Sequence, residues 1–568
     1  MEVDRKMTAK AYSAAGARRG PTDPWQMLLL VLLWACMGHA RAQPADMVVV
    51  NAKLATLDAA SSFAEALAVR DGRLILVGSN AAALGLAGPA TRRIDAGGRL
   101  VIPGLIDSHM HAVRAALSYA TEVNWIDVRT IPEALERLRL KARERPGGWL
   151  IVAGGWTEQQ FAEKRKPTLQ EISTAVPGHP VWIQQFYSSI LMTAEAIRTF
   201  GVTQENLAPR IKPERDAAGT DTGWWSSDIV ATSALFDRLP KPGHEDSVAG
   251  TRQFFHELNR LGITGVVDPG GFSLDAAQYA PLMQVWRDRQ LTVRVAYSLF
   301  AQRAGSELQD FQALTQLLPM GYGDDMLRFN GIGERVTIAM YNNYAPDEVT
   351  QTRFVEAIRW AAKNKLAVTV HWTDGKSVHR LLDIYERLDR EVSIRELRWS
   401  IAHLDDVETD ALARMKALGI GWTMQDWMYF AGDRIKSARP EAVSRIPPIG
   451  TALRIGVRIG AGTDAHRVAS YNPFIALQWM LDGKTVAGNT TRSADEIPSR
   501  ADALRLYTTG SAWFSFDEGK RGSLEAGKLA DFVILDRDFF TVPIEQIGQT
   551  SSLMTVMGGV VVYSTRPF

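Results

Sequence analysis

The spacing of apolar residues changes along this chain, and each change predicts a different kind of element. Residues 27–36 (MLLLVLLWAC) are an unbroken apolar run. Further on, 47–50 (MVVV), 66–70 (ALAVR) and 73–77 (RLILV) read as short strands, with Asp71-Gly72 as a two-residue hairpin turn between the last two. The C-terminus repeats this texture at 531–535 (DFVIL) and 559–563 (GVVVY). Neither end can bury an apolar face alone. Pairing of 46–102 with 520–568 into one small β-sandwich is the economical expectation.

Between the ends, strand and helix signals alternate. Candidate strands fall at 149–153, 181–183, 265–268, 293–297, 367–370, 399–402 and 458–461. Residues 377–388 set Val378, Leu381, Leu382, Tyr385 and Leu388 on one helical face. Repeated strand–helix units favour a parallel α/β fold, expected as a (β/α)8 TIM-type barrel over 103–519. Residues 155–245, rich in Pro, Gly, Trp and charge, read as an inserted lid or subdomain.

Composition narrows the class without naming a chemistry. With 46% apolar and 22% charged residues, the chain has the balance of a soluble globular protein. A net charge of +1 and no Lys/Arg block give no case for nucleic acid. Arg5, Lys6, Lys10, Arg18 and Arg19 precede the apolar run at 27–36, and Ala40-Arg41-Ala42 follows it as a small-x-small cleavage pattern. Residues 1–42 therefore read as a signal peptide, with a periplasmic or secreted product and no stable membrane span after processing. Arg18-Arg19 leaves twin-arginine export open, and the segment before Cys36 leaves open a lipoprotein anchor. Cys36 is the only cysteine, so any metal must be held by His, Asp, Glu or a modified Lys.

The candidate chemistry lies at strand ends. The string VIPGLIDSHMH (101–111) places His109 and His111 two apart, on one side of a strand, as a pair of imidazole ligands. His371 finishes VTVH, His403 finishes WSIAH, and Asp464 finishes GAGTD. Polar residues at the C-terminal ends of strands are where barrel enzymes place catalytic groups.

These strings carry a resemblance. PGLIDSHMH, VTVHWTDG, IAHLDD, GTDAH and GSLEAGKLADFVILD are similar to the pattern of the amidohydrolase superfamily, in the branch called amidohydrolase family 3 or YtcJ-like. The resemblance implies one or two divalent metal ions, Zn2+ foremost, held by His109, His111, His371, His403 and Asp464. Two-metal members add a bridging residue on the fourth strand, commonly a carboxylated Lys. The corresponding segment 329–338 has no Lys, leaving Glu334 as the bridge or a site with one metal. Where many relatives carry a His, this chain has QFYSS (185–189).

The implied reaction is hydrolysis, by metal-activated water, of a non-peptide carbon–nitrogen bond in a small molecule: an amide, an N-substituted formamide or a cyclic amide. Asp464 is the expected catalytic proton carrier. His466 is read either as a substrate-binding group or as an exposed loop residue. The aromatics of 155–245 are either packing or the lining of the mouth. Lactone or ester hydrolysis, deamination, and a catalytically silent exported binding protein stay open as alternatives. Relatives are often dimers or larger, so a homo-oligomer fits the resemblance.

Overall fold

The computed structural model describes residues 43–202, 210–216 and 218–565; the signal peptide expected at 1–42 lies outside the described residues. The fold below belongs to the unit Ala45–Phe568.

Eight parallel strands organise the structure: β1 (Leu105–Asp107), β2 (Ile263–Asp268), β3 (Arg294–Leu299), β4 (Leu327–Ile332), β5 (Thr369–Trp372), β6 (Ser400–His403), β7 (Gly421–Gln425) and β8 (Ile459–Gly462). They pair in two four-stranded sheets, in the orders β4-β3-β2-β1 and β5-β6-β7-β8. At one junction Ile332 lies opposite Val368, and its N–H donates to Ala367 O at 2.9 Å. At the other, the Ser108 N–H donates to Ala461 O at 3.0 Å. Close approach there requires glycine at 462, because a Cβ would sit 2.6 Å from both Asp107 Oδ1 and the His109 nitrogen.

Helices connect successive strands and bury one face against them. In Val378–Glu391 the buried side chains are Val378, Leu381, Leu382, Ile384, Tyr385 and Leu388, which includes every position on the expected face. Each such burial contributes roughly 1.5–3 kcal/mol, which fixes that face inward. Leu381 and Leu382 join Val370, Ile401 and Trp422 in one continuous core.

The first and last described strands of this unit share a second region. Phe532–Leu535 pairs antiparallel with Leu100–Pro103 in a six-stranded sheet, with Val533 opposite Ile102. Ala45–Val50, Ala66–Arg70, Arg73–Gly78 and Ala87–Asp95 form a four-stranded sheet. Met47, Val69 and Ile94 of one share a core with Val101, Ile534 and Met554 of the other. The hairpin turn is as expected: Arg70 pairs with Arg73, and Asp71 and Gly72 both have positive φ (51° and 72°), the requirement of a type I′ turn.

Two expected strands belong elsewhere. Leu150–Val152 and Val181–Gln185 do not join the eight; they lie in a separate five-stranded sheet with Ser189–Met192, Lys212–Arg215 and Asp221–Ser226. They pair in parallel across the helix Leu169–Ala175, a local strand–helix–strand unit with the same apolar pattern as the main one. Pattern alone cannot tell the two apart.

Candidate metal centre

The C-terminal ends of β1, β4, β5, β6 and β8 bring four imidazoles and two carboxylates together. The His-x-His pair does not sit within its strand. β1 stops at Asp107, whose carboxylate accepts from the His109 N–H (2.9 Å) and from Thr463 Oγ1 (2.8 Å), turning the chain as it leaves the sheet. The two rings still converge, with centroids 5.6 Å apart. His371 and His403 project from β5 and β6, while Glu334 and Asp464 lie two residues beyond β4 and β8. His403 (φ 75°), Leu404 (φ 54°) and Asp464 (φ 57°) adopt the left-handed region, a strain of about 1–3 kcal/mol each that clusters at functional sites.

Glu334 is the hub, 2% exposed. Its Oε2 lies 3.2 Å from His109 Nε2, 3.2 Å from His371 Nδ1 and 3.3 Å from His403 Nε2, and its Oε1 lies 3.4 Å from His111 Nε2. Asp464 Oδ1 is 3.0 Å from His111 Nε2 and 3.7 Å from His109 Nε2. Ligands about 2.0–2.2 Å from one cation stand about 3–3.5 Å from each other, so most of these separations are ones a shared ion would accommodate. Two trios, His109/His111/Asp464 and His109/Glu334/His403, each keep their donor atoms within 4.8 Å. The buried His109 Nε2 has no hydrogen-bond partner, although it points into this cluster. The donor set therefore fits one or two divalent cations.

Surrounding contacts fix the ligands. His111 Nδ1 lies against Gly270 O at 2.5 Å, which requires the proton on Nδ1 and leaves the Nε2 lone pair facing the cluster. Trp422 Nε1 donates to His403 O (2.6 Å), and the His403 N–H donates to Gln425 Oε1 (2.9 Å). Tyr341 stacks on His371 at 4.2 Å between centroids. Asp268 accepts from Val113 N and Gly270 N, both at 2.7 Å.

Protonation follows the same geometry. Burial opposes the charge on Glu334, but His371 and the His109 and His111 nitrogens, 3.2 Å and 3.4 Å away, outweigh it and hold the carboxyl well below the usual range. Burial likewise opposes a charge on His111, yet Asp464 and Glu334 raise its pKa. Burial, then His403, lowers that of His371. Burial pushes Asp107 up to about 7 and Asp268 up to about 6.

A cavity of about 400 Å³ opens from the cluster. Its walls include Phe186, Tyr187, Ser188 and Ile229 from the inserted stretch, and Trp427 from the helix after β7. The QFYSS segment thus faces the reaction space. His466 does not: its Nε2 is taken up by Glu122 Oε2 at 3.0 Å, it is 6% exposed, and at this turn Arg467 and Val468 line the wall instead. His466 therefore lines no wall of this cavity and is not an exposed loop residue either. Asp268, Tyr341 and Arg114 were not singled out by sequence reasoning. Asp268 ends an apolar run and so carried a readable signal; the other two carried none.

The matching pattern now has a structural meaning, and the chain belongs to the amidohydrolase family, whose profile covers residues 92–563. The protein is accordingly an enzyme, an amidohydrolase. It is 24% identical over 551 residues to the N-substituted formamide deformylase of Arthrobacter pascens, covering 92% of this chain and 99% of that one. An uncharacterized metal-dependent hydrolase of Pyrococcus horikoshii shares the fold, with a TM-score of 0.63, 19% identity, and 88% and 99% of the two chains covered. So does the atrazine chlorohydrolase of Arthrobacter aurescens, in a complex with zinc, with a TM-score of 0.52, 16% identity, and 91% and 95% covered.

Proposed function

We propose that this amidohydrolase cleaves a non-peptide carbon–nitrogen bond of a small molecule, such as an amide, an N-substituted formamide or a cyclic amide. The observation that carries the reading is Glu334 standing 3.2–3.4 Å from four imidazole nitrogens at the floor of an open cavity. The deformylase relative, similar over nearly its whole length, supports the bond type. His109, His111, His371, His403 and Asp464 would hold the metal, with Glu334 as the carboxylate that would stand in for a carboxylated Lys. All-nitrogen-and-oxygen donors and the zinc complex of a structural neighbour favour Zn2+.

A divalent ion held by this cluster would supply acidification of a water molecule and polarisation of a carbonyl group. Asp464, against His111 at the strand end, takes the proton of the attacking water and returns it to the leaving nitrogen. His111 is positioned by its Nδ1, which lies against Gly270 O. Phe186, Tyr187 and Trp427 limit access of bulk water to the cavity.

The scaffold we propose is a (β/α)8 barrel over 103–519, supported by the hydrogen bonds at both sheet junctions. It carries an insertion over 155–245 and a β-sandwich of 46–102 and 520–568, supported by the core shared between the terminal sheets. No described helix is long and apolar enough to cross a membrane. Export through residues 1–42 is part of the proposal, checked by fractionating cells that express the full chain.

Metal analysis of purified protein tests the central reading. About two equivalents of Zn2+ or a related ion are expected, with amide hydrolysis lost on chelation and restored by metal. Asp464→Asn should keep most of the metal and lose roughly 100-fold or more in turnover. A metal-free protein, inert across amides and indifferent to chelators, would refute the assignment.

A further inference from the structure

A second cavity, of about 730 Å³, adjoins the first, and the two share Arg114, Tyr187, Phe272 and Arg467 in their walls. Three arginines face it: Arg114, Arg335 and Arg467. Arg467 is answered by Glu122, with Nη2 3.2 Å from Oε1, and donates through Nη1 to Ala153 O. The other two have no carboxylate within ion-pair distance among the described residues. Arg114 donates from Nη2 to Tyr187 Oη at 3.0 Å, while its buried Nε has no acceptor. Arg335, 9% exposed, donates from Nε to Ala301 O at 2.8 Å, and its guanidinium packs 4.5 Å and 4.3 Å from the ring centres of Phe272 and Phe300.

The acidic residues on this wall are already engaged. Glu122 meets Arg467 and His466, Asp237 accepts from Ser273 and lies 3.3 Å from Lys241, and Asp275 accepts from Ala277 N. Arg114 and Arg335 therefore have no contacting carboxylate and feel Asp464, and Glu334 and Glu307, only at longer range, in a setting where a buried cation without a contacting anion costs stability. A fold tolerates that where a ligand supplies the missing anion. At Arg335 the aromatic rings and Ala301 leave the Nη edge as the free part, a planar pair of donors that matches the fork of a carboxylate.

We infer that this cavity is an anion subsite of the active site, and that the substrate is an amide one half of which bears a carboxylate, held by Arg335 and Arg114. The inference rests on the hydrolase reading for the position of the amide, which lies against the histidine cluster with the carboxylate directed towards Arg114, a residue that lines both cavities.

Calorimetric binding of phenylacetate and of its neutral isostere phenylacetamide to the zinc-loaded enzyme tests it. The wild type should bind phenylacetate at least about tenfold more tightly, as charge-assisted hydrogen bonds require. Arg335→Gln and Arg114→Gln should each bring that ratio towards one, with metal content measured in every sample. Equal binding by the wild type, or a preference that survives in both variants, overturns the subsite. Removing an unanswered cation should not lower the melting temperature, so a large fall in both variants also overturns it, since it would make the arginines structural. The ratio is read without turnover; a protein that keeps it and hydrolyses no amide fails the hydrolase reading only.

Discussion

His466, Arg467 and Glu122 form a buried trio in which one imidazole is kept neutral. Burial, and then the Arg467 cation, push the His466 pKa from its ordinary 6.5 down to about 4. Burial resists the charge on Glu122, but Arg467 and His466 hold its carboxyl at about 2. Below 6.5 the unfolded chain takes up a proton at His466 that the folded protein refuses. The stability is therefore complete above about pH 6.5 and is lost as pH falls towards 4. Denaturant unfolding followed across that window should show the slope, and His466→Gln should flatten it by on the order of 1–3 kcal/mol. An unchanged slope in the variant would assign the pH dependence elsewhere. This residue was visible in the sequence only as a histidine two beyond Asp464. Its partner lies in a segment 344 residues away, so its role was not readable there.

At the scale of elements, the turn after β4 decides where Glu334 points. Gly333 leaves no room for a side chain, since a Cβ there would fall 1.8 Å from Pro269 O, beside the end of β2. Gly333→Ala should push the turn away from β2 and carry Glu334 with it, weakening metal binding about tenfold or more in a competitive chelator titration. Wild-type affinity would show that the turn absorbs the methyl group. Strand ends were the readable part of the site: His371 and His403 close apolar runs, and both lie in the strands expected of them. Elements without a β-branched run, such as β7 (GWTMQ), were not legible. The strands at 150–152 and 181–185 were legible as strands but not as members of another sheet, because pairing partners are chosen by tertiary packing.

For the molecule as a whole, one buried ion pair ties the terminal strands to the parallel unit. Arg294, the first residue of β3, makes two bonds to Asp531, Nε to Oδ2 at 2.8 Å and Nη2 to Oδ1 at 2.9 Å, with both side chains under a tenth exposed. Asp531→Asn leaves the guanidinium uncompensated and should lower unfolding stability by about 3–5 kcal/mol, whereas Arg294→Met with Asp531→Asn should cost less. Denaturant midpoints check both, and a single variant as stable as wild type would show that the regions are joined by apolar contact alone.

The sequence by itself determined what depends on near neighbours. It set the buried face of Val378–Glu391, the Asp71-Gly72 turn, and the imidazoles that end β5 and β6, because period, backbone preference and strand length are local properties. Tertiary structure alone decided that Glu334 reaches four histidines, that His466 turns to Glu122, and that Arg335 lies among aromatic rings without a carboxylate. Those outcomes depend on side chains hundreds of residues apart meeting across strand ends, and the free energy that selects them is long-range burial and charge, which no local pattern records.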